Sequence, residues 1–302
     1  MINIAIAFDR NYLNQLYALM ASIFANNRED QFCFYLTYHG LTPIELEAIT
    51  TYARVNKSLT TFFDATQFRL DRLKDSLREH WTLAVYYKIY FPQLIGKRAD
   101  RILYMDTDTI VLNKLDELFR MDMNGLPVAA VYDCYVKKQP HIGLVDEGSY
   151  FNSGVMLIDV QKWNELRISE KALDYAYSNI ENLDFVDQDA LNAVLINKWK
   201  KIEDRFNLIY SYIPQPANRK VYRKLRESVV IVHFTLEKPW EPLCKNRFRK
   251  DYKYYFRKSP LSNSRIRRRL DFKCLCIQAR IRLTEIYLDS LWLQIIWRKL
   301  RQ

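Results

Sequence analysis

The sequence predicts an α/β protein, a mostly parallel sheet covered by helices, with a basic helical segment appended at its C-terminal end. Three observations predict it. Apolar, β-leaning runs alternate with stretches whose apolar residues recur at helical spacing, the pattern of strand–helix–strand units. Aspartates stand where three of those runs end. The charge changes character near residue 245. At 302 residues, 49% hydrophobic and 14% aromatic, the chain can hold one large domain with a sizeable core.

Taken in order, INIAIAF (2–8) is a strand; it is short, lacks a basic lead and runs straight into Asp9, so it does not read as a secretory leader. NYLNQLYALMASIFANN predicts a helix and QFCFYLTYH (31–39) a second strand. TPIELEAITTYARV predicts another helix, with Thr42 as N-cap, Pro43 at the first helical position and Glu45 at the third. RILYM (101–105) and PVAAVYD (127–133) continue the sheet, and YFNSGVMLIDV (150–160) and SVVIVHF (228–234) read as two more core strands. SEKALDYAYSNI and DQDALNAVLIN read as helices. Without internal repeats or a low-complexity linker, residues 1–244 are read as one domain.

Residues 245–302 differ. They hold 17 Lys/Arg against 4 Asp/Glu, a net +13, which leaves 29 against 31 in residues 1–244. RIRRRLDFKCLCIQARIRLTEIYLDSLWLQIIWRKLRQ predicts one long helix with Leu270, Cys274, Ile277, Ile281, Leu288 and Ile295 on one face. Basic residues over apolar and Trp side chains (Trp292, Trp297) suit an anionic membrane surface, so residues 265–302 are expected to dock there. Each cation near such a surface contributes about 1 kcal/mol. The alternative is a helix packed on the body or on a second chain. No nucleic-acid recognition motif accompanies the charge, so no nucleic-acid partner is expected. No apolar run reaches the roughly 18 residues of a spanning helix. The five cysteines are odd in number and scattered, without a CxxC pair, as expected of reduced thiols in a cytosolic protein.

Chemistry concentrates in RILYMDTDTIVL (101–112), which sets Asp106 and Asp108 two residues apart beyond a buried strand. Ligands on parallel sheets gather at such carboxyl ends. Two acids there can offer oxygens to a divalent cation, or one can attack a phosphoryl group. A second DxD, Asp187-Gln188-Asp189, shows how readily the spacing arises by chance. DTDT also resembles the DxDxT of haloacid-dehalogenase-type phosphatases, but it lies a hundred residues into the chain and no adjacent Asp pair follows. The cation reading asks for a third ligand. His233, after the apolar VVIV, is the candidate, and Lys238 is placed to face a phosphate. Imidazole plus carboxylates suit Mn²⁺ better than Ca²⁺, with Mg²⁺ as the alternative.

AFDRNY (7–12), RILYMDTDTIVL, YFNSGVMLID, DQDALN and HFTLEKPW together resemble the ordered motifs of glycosyltransferase family 8, over about residues 1–240. The likeness is to bacterial lipopolysaccharide and lipooligosaccharide α-galactosyl- and α-glucosyltransferases. It implies a GT-A fold, a UDP-hexose donor (UDP-galactose or UDP-glucose), Mn²⁺, retention at the anomeric carbon and a lipid-linked oligosaccharide acceptor. On this sequence it implies Asp106, Asp108 and His233 as metal ligands. Ala7, Asp9, Asn11 and Tyr12 fall in the uridine pocket, Thr107 lies between the acids, and Lys238 meets the diphosphate. Asp133, Asn152, Ser153, Asp187 and Gln188 fall around the donor sugar, with Gln188 beneath the anomeric carbon. Two departures stand out. Lys88 in VYYKIY replaces an arginine common in relatives, losing the forked geometry, and Leu236 stands where relatives often carry glycine.

The expected activity is a retaining, metal-dependent hexosyl transfer from a UDP-sugar to a lipooligosaccharide or lipopolysaccharide core, by attack on the face that UDP leaves. The setting is the inner face of the cytoplasmic membrane. A protein acceptor on the same fold is the alternative. From another class, a non-catalytic membrane or nucleic-acid adaptor would use only the basic tail.

Overall fold

The computed structural model describes residues 1–68, 70–77, 82–214, 218–261 and 272–299. Nine strands are described: β1 (Ile2–Asp9), β2 (Phe32–His39), β3 (Leu59–Asp64), β4 (Arg101–Met105), β5 (Thr109–Val111), β6 (Val128–Tyr132), β7 (Phe151–Asp159), β8 (Trp199–Ile202) and β9 (Ile231–His233). The helices of the first half are α1 (Leu13–Asn26), α2 (Pro43–Val55), α3 (Ala84–Tyr87), α4 (Phe91–Ile95) and α5 (Asp116–Phe119). Those of the second are α6 (Val160–Glu165), α7 (Ile168–Ser178), α8 (Val186–Val194), α9 (Arg219–Ser228), α10 (Arg249–Lys258), α11 (Phe272–Asp289) and α12 (Leu291–Lys299).

Seven strands form one sheet in the order β3-β2-β1-β4-β7-β6-β8. Only β7 runs against its neighbours; the β1–β2, β2–β3, β1–β4 and β6–β8 pairs are parallel. The central strands are apolar throughout because both faces are covered, and alternation sorts their side chains. Ile4, Ile6, Phe8, Leu103 and Met105 pack with Leu16, Met20 and Ile49 of α1 and α2. Ala5, Ala7, Ile102 and Tyr104 pack on the other face with Phe91, Trp163 and Leu191. The expected capping box of α2 forms: Glu45 N–H donates to Thr42 Oγ1 at 3.3 Å, and Thr42 N–H donates to Glu45 Oε2 at 2.8 Å. From β1 the chain moves outward to β3, then returns to place β4 on the other side of β1. That reversal creates a crevice at the strand ends, where this fold class binds ligands.

Several expectations change. SVVIVHF was expected as a core strand; it contributes only β9, which pairs with β5 in a separate two-stranded ribbon, Thr109 opposite His233. The reason is that β5 follows the Asp106–Asp108 turn directly and crosses out of the main sheet. Strands β3 and β8 lie at the sheet edges, half covered, so their sequences carry no strong apolar run. The single long C-terminal helix is two. It breaks at Ser290, whose hydroxyl accepts from Leu293 N–H at 3.3 Å and so starts α12. Cys274, Ile277, Ile281 and Leu288 do share a half-buried face of α11, whereas Ile295 is on the other helix and exposed; residues 265–271, with Leu270, lie outside the described residues. Packing continues past residue 244. Phe248, Tyr252 and Tyr255 are buried against Ala18, Ala21, Val232 and Phe234, because amphipathic aromatic side chains bury even in a basic stretch. Among the described residues, no helix is long and apolar enough to cross a membrane.

Candidate active site

The carboxyl ends of β1, β4 and β6 and the amino end of β7 meet at one rim. β1 ends in Asp9, β4 leads into Asp106, β6 leads into Asp133, and β7 begins beside Asn152 and Ser153. The β5–β9 ribbon closes the crevice by carrying His233 back to the acids, since Phe234 N–H donates to Asp108 C=O at 3.0 Å. Ligand atoms of Asp106, Asp108 and His233 lie within 4.8 Å of one another.

Two ammonium groups are set against this cluster. Lys88, 3% exposed, lies 3.2 Å from Asp106 Oδ1 and 2.9 Å from Asp187 Oδ2, and donates to Ser153 Oγ at 3.3 Å. Burial alone would discharge it, but the two carboxylates prevail and raise its pKa. Lys238 donates to Asp108 Oδ2 at 2.6 Å and to Phe234 C=O at 2.7 Å. Burial works to raise the Asp108 pKa, yet Lys238 and His233 hold it far below the usual carboxylate range. Asp106 also accepts from Tyr104 hydroxyl at 2.5 Å.

The polar groups form one connected chain of hydrogen bonds. Ser153 Oγ donates to Asp187 Oδ2 at 3.0 Å, and Ser153 N–H donates to Gln188 Oε1 at 3.0 Å. Gln188 Nε2 donates to Asp133 Oδ2 at 3.2 Å, which also accepts from Asn152 Nδ2 at 2.9 Å. Asn207 Nδ2 donates to Asn152 Oδ1 at 2.9 Å, and Asn207 Oδ1 faces His233 Nδ1 at 3.2 Å. A satisfied buried network of this kind locks side-chain positions that isolated pairs would leave free. Burial raises the pKa of Asp187, with Lys88 and Ser153 opposing.

This network decides whether the cluster suits a cation. Gly154 N–H can only donate, and it does so to Asn152 Oδ1 at 3.1 Å. Asn207 must therefore turn its Nδ2 toward Asn152 and its carbonyl oxygen toward His233. The imidazole accordingly carries a proton on Nδ1, which makes Nε2, 3.2 Å from Asp108 Oδ1 and 3.8 Å from Asp106 Oδ2, the nitrogen able to offer a lone pair to a cation. Two carboxylates and a lone-pair-bearing nitrogen converge, which is the donor set of a divalent transition-metal site. Replacing Asn207 by Leu removes the acceptor that sets this tautomer. We expect Mn²⁺ affinity in titration calorimetry to fall about 10- to 100-fold, with Asn207→Asp retaining most of it; unchanged affinity in the Leu variant would show that the tautomer is set otherwise.

Of the other expected site residues, Ala7 and Asp9 are buried at the end of β1. Asp9 Oδ1 accepts from Asn11 N–H at 2.8 Å, capping the short turn that carries Asn11 and Tyr12. The Tyr12 ring meets Trp240 edge-on at 6.1 Å, and burial, then Asp108, raises its phenol pKa. Thr107 is buried between the two acids. Asp189 is used structurally, accepting from Tyr150 hydroxyl at 2.5 Å and from Phe185 N–H at 2.9 Å. Val186, immediately before Asp187 and Gln188, has φ +39°, a strained value for a β-branched residue. Asn207, Tyr104 and Gly154 are site residues that the sequence reading missed.

A mostly parallel sheet with its acid–imidazole cluster at the reversal point and a β-ribbon returning the histidine is the architecture of GT-A glycosyltransferases. The chain belongs to the family described as Glycosyl transferase family 8, whose profile matches residues 3–244. General stress protein A of Bacillus subtilis (strain 168) is 31% identical, over 82% of this chain and 90% of its own length. Lipopolysaccharide 1,2-glucosyltransferase of Escherichia coli (strain K12) is 27% identical, over 86% of this chain and 78% of its own. The crystal structure of galactosyltransferase LgtC in complex with donor and acceptor sugar analogues superposes with a TM-score of 0.73 at 22% identity, covering 86% of this chain and 96% of that one.

Proposed function

We propose that the chain transfers galactose or glucose from a UDP-sugar to a lipooligosaccharide or lipopolysaccharide core acceptor, with retention at the anomeric carbon. The observation that carries this reading is the Asp106–Asp108–His233 cluster wired by one hydrogen-bonded network to Asp133, Gln188 and Asp187. The names of the two sugar-transferring relatives support the substrate class.

On this reading Ala7, Asp9, Asn11 and Tyr12 receive the uridine and Lys238 meets the diphosphate. Asp133, Asn152 and Ser153 hold the donor hexose. Asp106, Asp108 and His233 hold Mn²⁺, or Mg²⁺, which when bound takes up charge that develops on the departing β-phosphate. Gln188 is an amide and a poor nucleophile, and its oxygen already accepts from Ser153 N–H. Asp187 is blunted by Lys88 at 2.9 Å and by the Ser153 hydroxyl at 3.0 Å. Both facts favour same-face attack: the acceptor hydroxyl oxygen bonds to the anomeric carbon as the bond to the β-phosphate oxygen breaks, and the hydroxyl proton passes to that phosphate. Lys88 holds Asp106 and Asp187 in place throughout. The basic C-terminal helices hold the enzyme against the inner face of the cytoplasmic membrane, near its lipid-linked acceptor.

A donor screen by UDP release, with and without Mn²⁺, tests the reading. UDP-galactose or UDP-glucose is expected to give release that depends on the cation. Absence of binding by every UDP-sugar in calorimetry with Mn²⁺ would remove the donor assignment.

A further inference from the structure

Outside the crevice, a cleft of about 490 Å³ opens between α9 and α11. Tyr222, Leu225 and Phe248 form one wall and Ile277, Ile281 and Leu288 the other. The walls are apolar; the surroundings are cationic. Arg219, Lys220, Arg223 and Lys224 project from α9, exposed; Asp289 Oδ1 accepts from the Arg219 backbone N–H at 2.6 Å, and the ammonium and guanidinium groups point to solvent. Lys245 and Arg280 stand at the cleft itself. Beyond it, the Lys253 ammonium pKa is lowered by burial first and then by the neighbouring Arg249, Arg257 and Arg282.

The packing of α11 explains this surplus. Asp289 pairs with Arg247 at 3.0 Å, and Glu285 with Arg249 at 2.6 Å and Lys250 at 2.8 Å. Asp251 is taken by Arg226 at 2.7 Å and by the Tyr222 hydroxyl. The acids described beyond residue 250 are therefore all engaged as fasteners, beside the exposed Leu283, Ile286, Leu291 and Trp292. An apolar slot between two basic helices, next to exposed Leu, Ile and Trp, matches an amphiphile with a negative head. A polyanion such as RNA would use the charge but not the slot.

We infer that the α9–α11 cleft receives one acyl chain of an anionic phospholipid at the membrane surface, with the cations of both helices meeting the phosphate headgroups. The inference rests on the peripheral-membrane part of the proposed function and moves recognition from the C-terminal tail alone to a composite surface that includes α9.

The test uses the full chain. Vesicles of phosphatidylcholine, with or without phosphatidylglycerol, are sedimented with the parent and with Lys220→Glu/Arg223→Glu/Lys224→Glu. Binding of the parent only to the anionic vesicles, and at least tenfold weaker binding of the triple variant, are expected; soluble UDP release should be unchanged in both, showing an intact fold. Thr284→Trp, which fills the cleft from an exposed position, should weaken one-to-one capture of monomeric fluorescent lysophosphatidylglycerol at least tenfold. Equal vesicle binding by the parent and the triple variant would overturn the inference and leave tail docking standing. Undiminished lysolipid capture by Thr284→Trp would overturn the acyl slot. A parent that ignores anionic vesicles, or that prefers RNA at equal salt, would overturn both the inference and the membrane reading.

Discussion

Asp106→Asn and Asp108→Asn are each expected to reduce cation-dependent UDP release by at least about 100- to 1,000-fold, the range for loss of one charge-stabilising group. Asparagine preserves the shape of each side chain and removes its charge. At position 108 the loss also strands Lys238, which now has its short 2.6 Å contact with that carboxylate. At position 106 the Tyr104 hydroxyl still finds an oxygen, and Lys88 keeps Asp187, so the fold should survive. Because the two acids act as a unit, the double variant should be little worse than the poorer single one. Steady-state UDP release beside a thermal melt checks this. A single variant with parental activity and normal Mn²⁺ response would refute the metal assignment.

Gly154→Ala should be nearly as damaging, for a steric reason. A Cβ built on Gly154 would stand 2.1 Å from His233 Cε1 and 2.8 Å from both His233 Nδ1 and Asp106 Oδ2. The imidazole is rigid, buried and held by Asn207, so it cannot yield by a simple rotation. Both ring and carboxylate must move by a large fraction of an ångström or more. Misplacement on the order of 1 Å costs about 100-fold in rate, so a drop of at least that size is expected together with weaker Mn²⁺ binding. The backbone N–H that orients Asn152 remains, so Asn152 and Asp133 should keep their contacts. A variant that melts like the parent, binds Mn²⁺ like the parent and turns over like the parent would show that the crowding is relieved at no functional cost.

These two predictions differ in how visible their residues are in the sequence. Asp106 and Asp108 are legible because everything needed is local: an apolar strand, its end, and two acids with a single residue between them. His233 is legible for a similar reason, as the end of a short strand. Asn207 is not, since its partners Asn152 and His233 lie 55 and 26 residues away and RFNLIY carries no local sign of them. Tyr104 reads as one more apolar residue of β4, although its hydroxyl reaches the first acid. Gly154 left a usable trace, because glycine inside a strand often marks close approach of another group. In the fold, the central strands announced themselves through burial on both faces. The edge strands β3 and β8 and the three-residue β5 had too little apolar surface to do so. The outer cations of α9 were hidden differently: averaged over residues 1–244 they vanish into a net charge of −2.

Lys88 and Lys238 have one more consequence. Asp106, Asp108 and Asp187 share these two ammonium partners, so part of the negative charge that would attract a cation is matched before anything enters the crevice. On the proposed reading, a divalent ion arriving alone must compete with ammoniums already in place. A pyrophosphate brings negative charge of its own and gives Lys238 somewhere else to bind. Nucleotide and ion should therefore enter cooperatively, each tightening the other's hold by the same factor.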